Sequence, residues 1–166
     1  MTGAPAATVL IPLFALYNAL LIAFAFAVRD ALHAHGVRLS LVAPIGLAVA
    51  ALCGALLLIY PMDPLGIPAT ESGRLHHWFS GVGSIARMVA VLAAARSLRE
   101  YPAWRGFALY SYVSLAAMIA AGFWAANTAT EGSTWMGLAE RVAIAAFLQW
   151  LFAFAVAVLR RRPSAA

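Results

Sequence analysis

Residues 39–60 read LSLVAPIGLAVAALCGALLLIY, 22 positions without a charged side chain. As a helix rising 1.5 Å per residue this stretch reaches roughly 33 Å, enough to cross a hydrocarbon core of ~30 Å. Its apolar residues run on with little amphipathic alternation, which is the pattern of a membrane segment. Four further blocks share that character, at about residues 9–28, 75–95, 107–126 and 137–159. In lipid every backbone N–H and C=O must be satisfied within the segment, so blocks of this length are helices. Ten-residue segments of alternating polarity are absent, which excludes a β-barrel. The chain therefore reads as an all-α polytopic transmembrane bundle of five spans, a single domain over residues 1–166.

Composition supports the same class. The chain is 64% hydrophobic and only 10% charged, whereas a soluble domain carries roughly 25% charged residues. So few charges cannot coat a water-facing surface. The net charge is +5, and every basic residue is an arginine. These arginines sit in short connections between apolar blocks, which is a topology signal and excludes a nucleic-acid groove. Cys53 is the only cysteine, so the chain holds neither an internal disulfide nor a cysteine-based metal site, and Cys53 reads as a small packing residue. The first block lacks a preceding positive residue and is followed by Arg29 and Asp30, so it reads as a retained span and not a signal peptide.

Arginines also orient the bundle. Arg29 and Arg38, then Arg96, Arg99 and Arg105, then Arg160, Arg161 and Arg162 fall on one side; only Arg74 and Arg141 fall near helix ends on the other. Eight against two places the N-terminus outside and the C-terminus in the cytoplasm, as expected of a multi-pass protein of the plasma (inner) membrane. Tyr60, Trp78, Trp124 and Trp135 are expected at outer ends, and Tyr101 and Trp104 at an inner end, as interfacial aromatics.

On this topology most ionisable residues gather on the outer side. Asp63, Glu71, Arg74, His76 and His77 flank the longest connection, which runs from Pro61 to Arg74; Glu131, Glu140 and Arg141 flank another. Connections of that length are often functional. Asp63, His76 and Glu140 are candidate catalytic groups, as acid–base residues or metal ligands. Arg74, His77 and Arg141 are candidate ligand-binding groups, with the arginines suited to an anionic head group. Across the bundle, Arg141 is expected to pair with Asp63 or Glu71, and Glu140 with His76, His77 or Arg74. The metal signal is weak and confined to Asp63 and His76, because adjacent His76 and His77 diverge by about 100° on a helix and no HExxH is present. No cofactor is expected. Asp30, His33 and His35 read as a solvated inner loop, and Gly81 and Gly83 as close-packing positions.

Within the membrane, His76, Ser80, Ser84 and Arg87 share one helical face, which should turn inward. Arg87 lies about 18 Å beyond Leu75 by helix rise, and an arginine near the centre of a span costs about 2.5–3.5 kcal/mol. Gln149 and Ser114 fall near the same depth. Arg87, Ser84, Ser114 and Gln149 are therefore expected to form an intramembrane polar layer in which Arg87 contacts Gln149 or Ser114.

Three stretches carry a family resemblance: Tyr60-Pro61-Met62-Asp63-Pro64, Gly73-Arg74-Leu75-His76-His77 and Gly137-Leu138-Ala139-Glu140-Arg141. In that order the chain resembles, over nearly its whole length, the bacterial and archaeal membrane family catalogued as domain of unknown function 998. The resemblance implies a bundle of about six helices, with an aspartate after one span and a histidine opening the next; Asp63, His76 and Arg141 would occupy those positions. It implies a fold and not a reaction. Against that pattern the usual first helix and its outer loop are missing here, so any site would be incomplete, supplied by a partner, or lost.

The first functional reading is non-enzymatic: an accessory or structural subunit of a membrane complex, or a bundle that binds lipid or another apolar ligand. Membrane lipids and other membrane subunits are the expected partners, and nucleic acid is not. The alternative is a membrane-embedded hydrolase or transferase with its polar site on the outer face. A small transporter using the Arg87 layer ranks third, because no span is broken by paired Gly and Pro at mid-depth.

Overall fold

The apolar blocks fold as helices, and the charges at their edges only partly decide where each helix stops. The computed structural model describes residues 7–64, 68–130 and 135–160. The elements are α1 (Ala7–Ala34), α2 (Val42–Ile59), α3 (Glu71–Leu98), a 3₁₀ turn (Pro102–Trp104), α4 (Arg105–Thr130) and α5 (Met136–Leu159). All five α-helices are long and apolar enough to cross a membrane, and no strand occurs among the described residues. Glu131, Arg161 and Arg162 lie outside the described residues.

Helix α1 continues past the apolar block, through Arg29 and Asp30, to Ala34. It stops where Gly36 adopts a φ of +74°, a left-handed conformation that disfavours residues with a Cβ. Gly36 N–H then donates to the His33 carbonyl and Val37 N–H to the Leu32 carbonyl, both at 2.9 Å. This is a Schellman motif, and Val37 and Leu32 are buried in the same core. The loop expected around Asp30 and His33 is thus two more helical turns; Arg29 and Asp30 lie 3.6 Å apart on them. Helix α2 begins three residues later than its apolar block, at Val42. Ser40 N–H donates to Ser97 Oγ at 3.1 Å, and Ser40 Oγ accepts from Val42 N–H at 3.3 Å, which holds the chain out of the helix. Arg38 N–H donates to the Tyr101 hydroxyl at 2.8 Å. Two side chains, Ser97 and Tyr101, therefore clamp the α1–α2 connection to the end of α3 and the turn that follows it.

Each helix packs on the next in sequence, up and down, and α5 returns to touch α1. Lipid offers little hydrophobic drive for helix pairing, so close approach and packing must supply it. The α2–α3 seam shows this: a Cβ on Gly46 would lie 2.9 Å from the Ala86 carbonyl oxygen and 3.0 Å from Ala90 Cβ. Gly83 packs likewise on Cys53, but Gly81 faces open space, contrary to expectation. The largest fully buried side chains are Trp150, Phe147 and Phe154 of α5. Phe154 stacks on Phe107 at 5.0 Å and meets Phe24 of α1 edge-on at 6.3 Å. Trp104, expected at an interface, is instead buried against this aromatic core, whereas Trp78 and Trp135 are exposed.

The two halves of the bundle are unequally closed. Along α1 the buried positions Asn18, Leu21, Ala25, Val28 and Leu32 recur every three or four residues, which is one helical face turned to the core. Ahead of them, residues 8–16 are all exposed, on every face of the helix. In the opening turns of α5, from Met136 to Ala146, only Ala139 is buried. Helices α1 and α5 therefore meet near the arginine-rich end and part toward the end that carries Asp63.

Candidate functional site

At the Asp63 end, the start of α3 is organised by its cap. Thr70 precedes the helix in extended conformation, and its Oγ1 accepts from Gly73 N–H at 3.2 Å. Asp63 binds the same residue twice: Thr70 N–H donates to Oδ2 at 2.8 Å and the Thr70 hydroxyl donates to Oδ1 at 2.7 Å. The carboxylate thus lies before a helix N-terminus, where negative charge is favoured. A side chain at Gly73 would overlap Asp63 Oδ2, so the absence of a Cβ there makes room for the aspartate. The Thr70 hydroxyl, then the Thr70 amide, and more weakly His77, hold the Asp63 carboxyl below its ordinary value of 3.8, against a smaller opposing effect of burial.

His76 serves a different neighbour. Its Nδ1 lies 2.8 Å from the Tyr60 carbonyl oxygen; a carbonyl only accepts, so Nδ1 carries the proton. The Ser72 hydroxyl donates to the Pro61 carbonyl at 3.1 Å, and the Tyr60 and Phe79 rings lie 5.7 Å apart. Asp63, Thr70, Ser72 and His76 therefore tie the α2–α3 connection to the first turns of α3.

The remaining candidates on this end stay apart. Arg74 pairs with Glu71 on its own helix, both largely exposed. Arg141 Nη1 donates to the Gly137 carbonyl at 2.9 Å, one turn back on α5. Glu140 is exposed. Among the described residues no hydrogen bond or ion pair crosses from Glu140 or Arg141 to the α2–α3 connection, so the pairs expected across the bundle are not formed, and Arg74 and Arg141 bond locally instead. Helix α3 packs mainly on α2 and α4, and α5 on α4; α3 and α5 meet deeper in the bundle, through Arg87 and Phe147. No three His, Cys, Asp or Glu side chains among the described residues stand close enough to share a metal ion.

Inside the membrane thickness the polar groups split into two sets. Along the α4–α5 seam, Gln149 Nε2 donates to Ser114 Oγ at 3.3 Å and Gln149 Oε1 accepts from the Tyr110 hydroxyl at 2.5 Å. The next residue, Trp150, donates from Nε1 to Ser111 Oγ at 2.9 Å, and the Ser111 hydroxyl donates to the Phe107 carbonyl at 2.8 Å. Gln149 and Ser114 are thus partners of each other and not of Arg87, which corrects the expected layer. On α3, Ser80 is exposed while Ser84 and Arg87 are half-buried.

Arg87 occupies a separate place. Its guanidinium carbon lies 5.5 Å from the centre of the Phe147 ring on α5. Tyr17 of α1 and Cys53 of α2 are within its electrostatic reach, and Gly83 lies beside it on α3. Its Nε is sealed from the surroundings without a hydrogen-bond partner. Sequence reading missed Tyr17 and Phe147, since an aromatic ring in an apolar block carries no mark of its direction. It also missed buried Asn18, which turns onto Gly54 of α2 and whose Nδ2 donates to the Phe14 carbonyl at 2.8 Å. Asn18 is the lone amide of the first block, and that signal was available.

A family model described as a protein of unknown function (DUF998) matches residues 1–157. The chain belongs to the DUF998 family. No curated protein and no solved structure matches it. Of the three stretches that carried the resemblance to DUF998, the first two meet in the stapled α2–α3 connection. The third opens α5, where Arg141 closes on its own first turn.

Proposed function

We propose that this DUF998 protein is a non-catalytic membrane bundle that binds a lipid molecule between the opening turns of α1 and α5. The observation that carries the reading is the exposure of residues 8–16 on every face of α1 while the rest of the helix packs against the bundle. In a bilayer such surface is covered by lipid, and the parted helices offer a lipid chain protein on two sides. The Asp63 end would face outward and the arginine-rich end the cytoplasm of the plasma (inner) membrane, in keeping with the arginine distribution. Asp63 and His76 are each engaged in a local tie and Glu140 stands apart, so acid–base chemistry has the weaker support.

Native mass spectrometry of the chain released from lipid nanodiscs tests this. The expected result is a chain that retains one lipid under conditions that strip loosely bound molecules. Photoreactive lipid should label a crosslinking residue at Leu13 more than one at Leu109, an exposed position on α4. Equal labelling, or release of a lipid-free chain, would overturn the proposal. Recovery with a second protein at fixed stoichiometry and no lipid would favour the accessory-subunit reading.

A further inference from the structure

The charge on Arg87 has no counter-charge at its own depth. The chain has six acidic residues: Asp30, Asp63, Glu71, Glu100, Glu131 and Glu140. Only Glu140 lies inside an apolar block, in the opening turns of α5. Along α3, Arg87 is sixteen residues from Glu71 and eleven from Leu98, roughly 24 Å and 16 Å from the two ends. Glu140, on the helix that carries Phe147, precedes that ring by seven residues, roughly 10 Å of rise, and is exposed. Polar groups that might have served the guanidinium, Gln149 and Ser114, are spent on each other and on Tyr110.

Position adds a second observation. Tyr17 is the first residue of α1 after the exposed stretch, and Phe147 is the first large buried side chain of α5. Arg87 lies over the Phe147 ring and within electrostatic reach of Tyr17, so it stands at the inner limit of the exposed stretches of α1 and α5, at the floor of the opening between them. A cation at the closed end of an apolar opening matches a molecule with an anion at one end and a hydrocarbon chain at the other. Among anions, a carboxylate suits this depth, since a carboxylic acid can cross apolar surroundings in its neutral form, whereas a phosphate ester stays charged.

We infer that Arg87 is the recognition residue for the carboxylate of a long-chain amphiphile bound between α1 and α5. This rests on the lipid-binding reading above and names its ligand class. The test measures binding of oleate, methyl oleate, oleyl phosphate and acetate to the full chain in phosphatidylcholine nanodiscs, with Arg87→Gln and Arg87→Lys beside the unchanged protein. The unchanged protein should bind oleate about ten- to a hundredfold more tightly than methyl oleate, the range for one charge-assisted contact. Arg87→Lys should keep a preference for oleate, and Arg87→Gln should bind the two alike. Equal binding of oleate and methyl oleate by the unchanged protein would overturn the inference while leaving a lipid-binding bundle intact. Binding of neither would remove the lipid-binding reading itself. Tighter binding of oleyl phosphate would overturn the carboxylate assignment, and displacement of oleate by acetate would overturn the requirement for a chain. If Arg87→Gln fails to fold, the comparison of ligands on the unchanged protein still decides.

Discussion

Replacing Arg87 by methionine should make the empty bundle more stable. The guanidinium carries a full charge near the middle of α3, and an arginine at the centre of a span costs about 2.5–3.5 kcal/mol. Against this, the Phe147 face at 5.5 Å returns about 0.5–2 kcal/mol, the range of a cation–π contact. The difference leaves a net penalty of about 0.5–3 kcal/mol that methionine, unbranched and apolar, would relieve. Reversible unfolding by SDS of lipid-stripped protein in mixed micelles, followed by circular dichroism, measures it. Arg87→Met should shift the midpoint to higher SDS, and Phe147→Leu, which removes the compensating ring and keeps the charge, should shift it to lower SDS. A methionine variant less stable than the parent by more than about 1 kcal/mol would refute the reasoning, because it would mean that the guanidinium has a partner holding it in the folded state.

Other perturbations probe the frame around the site. Gly46→Val forces a side chain against the Ala86 carbonyl at 2.9 Å; overpacking should lower stability by about 1–3 kcal/mol, read as a fall in the thermal midpoint. Gly36→Ala meets no neighbouring atom within 4 Å but keeps a φ of +74°, so its cost is the left-handed backbone alone, about 1–2 kcal/mol, with Gly36→Asn losing less. Trp150→Phe removes the bond to Ser111 and should cost about 0.6 kcal/mol in a double-mutant cycle with Ser111→Ala, the average for intramembrane side-chain bonds. For Asp63 the folded value lies below 3.8, so its stabilisation is complete above that value and fades as pH falls through the lower folded value. Exchange protection of the Thr70 amide should therefore persist from neutral pH down to the ordinary carboxylate range, and Asp63→Asn should weaken it at neutral pH.

Much of the frame was legible because lipid leaves the backbone few choices. An apolar block of about 20 residues has to be helical, and each of the five blocks became a helix. Helix ends were less legible: α1 outruns its apolar block by six residues, since Gly36 and not Arg29 terminates it. The polar groups divide in the same way. Counting rise along a helix placed Arg87, Gln149 and Ser114 near one depth, but depth says nothing of direction around the helix. Gln149 faces α4, where Ser114 and Tyr110 meet it, and Arg87 lies over Phe147. Asp63 and His76 stood out as chemically capable groups. The residue that binds Asp63, Thr70, carries no such mark, because its capping role depends on where the first turn of α3 begins.

The unequal closure of the bundle gives α1 the mechanics of a lever. Its second half is gripped by the Phe24–Phe154 contact and by the clamps at Arg38–Tyr101 and Ser40–Ser97. The free arm ahead of Tyr17 is ten residues long, roughly 15 Å, so a tilt of about 10° about that point carries its tip roughly 2.6 Å. Pro12 lies within the arm and has no N–H to give to the preceding turn, so the arm also bends more easily along its own length. A change in bilayer thickness is therefore expected to tilt this arm before it disturbs the gripped half of α1.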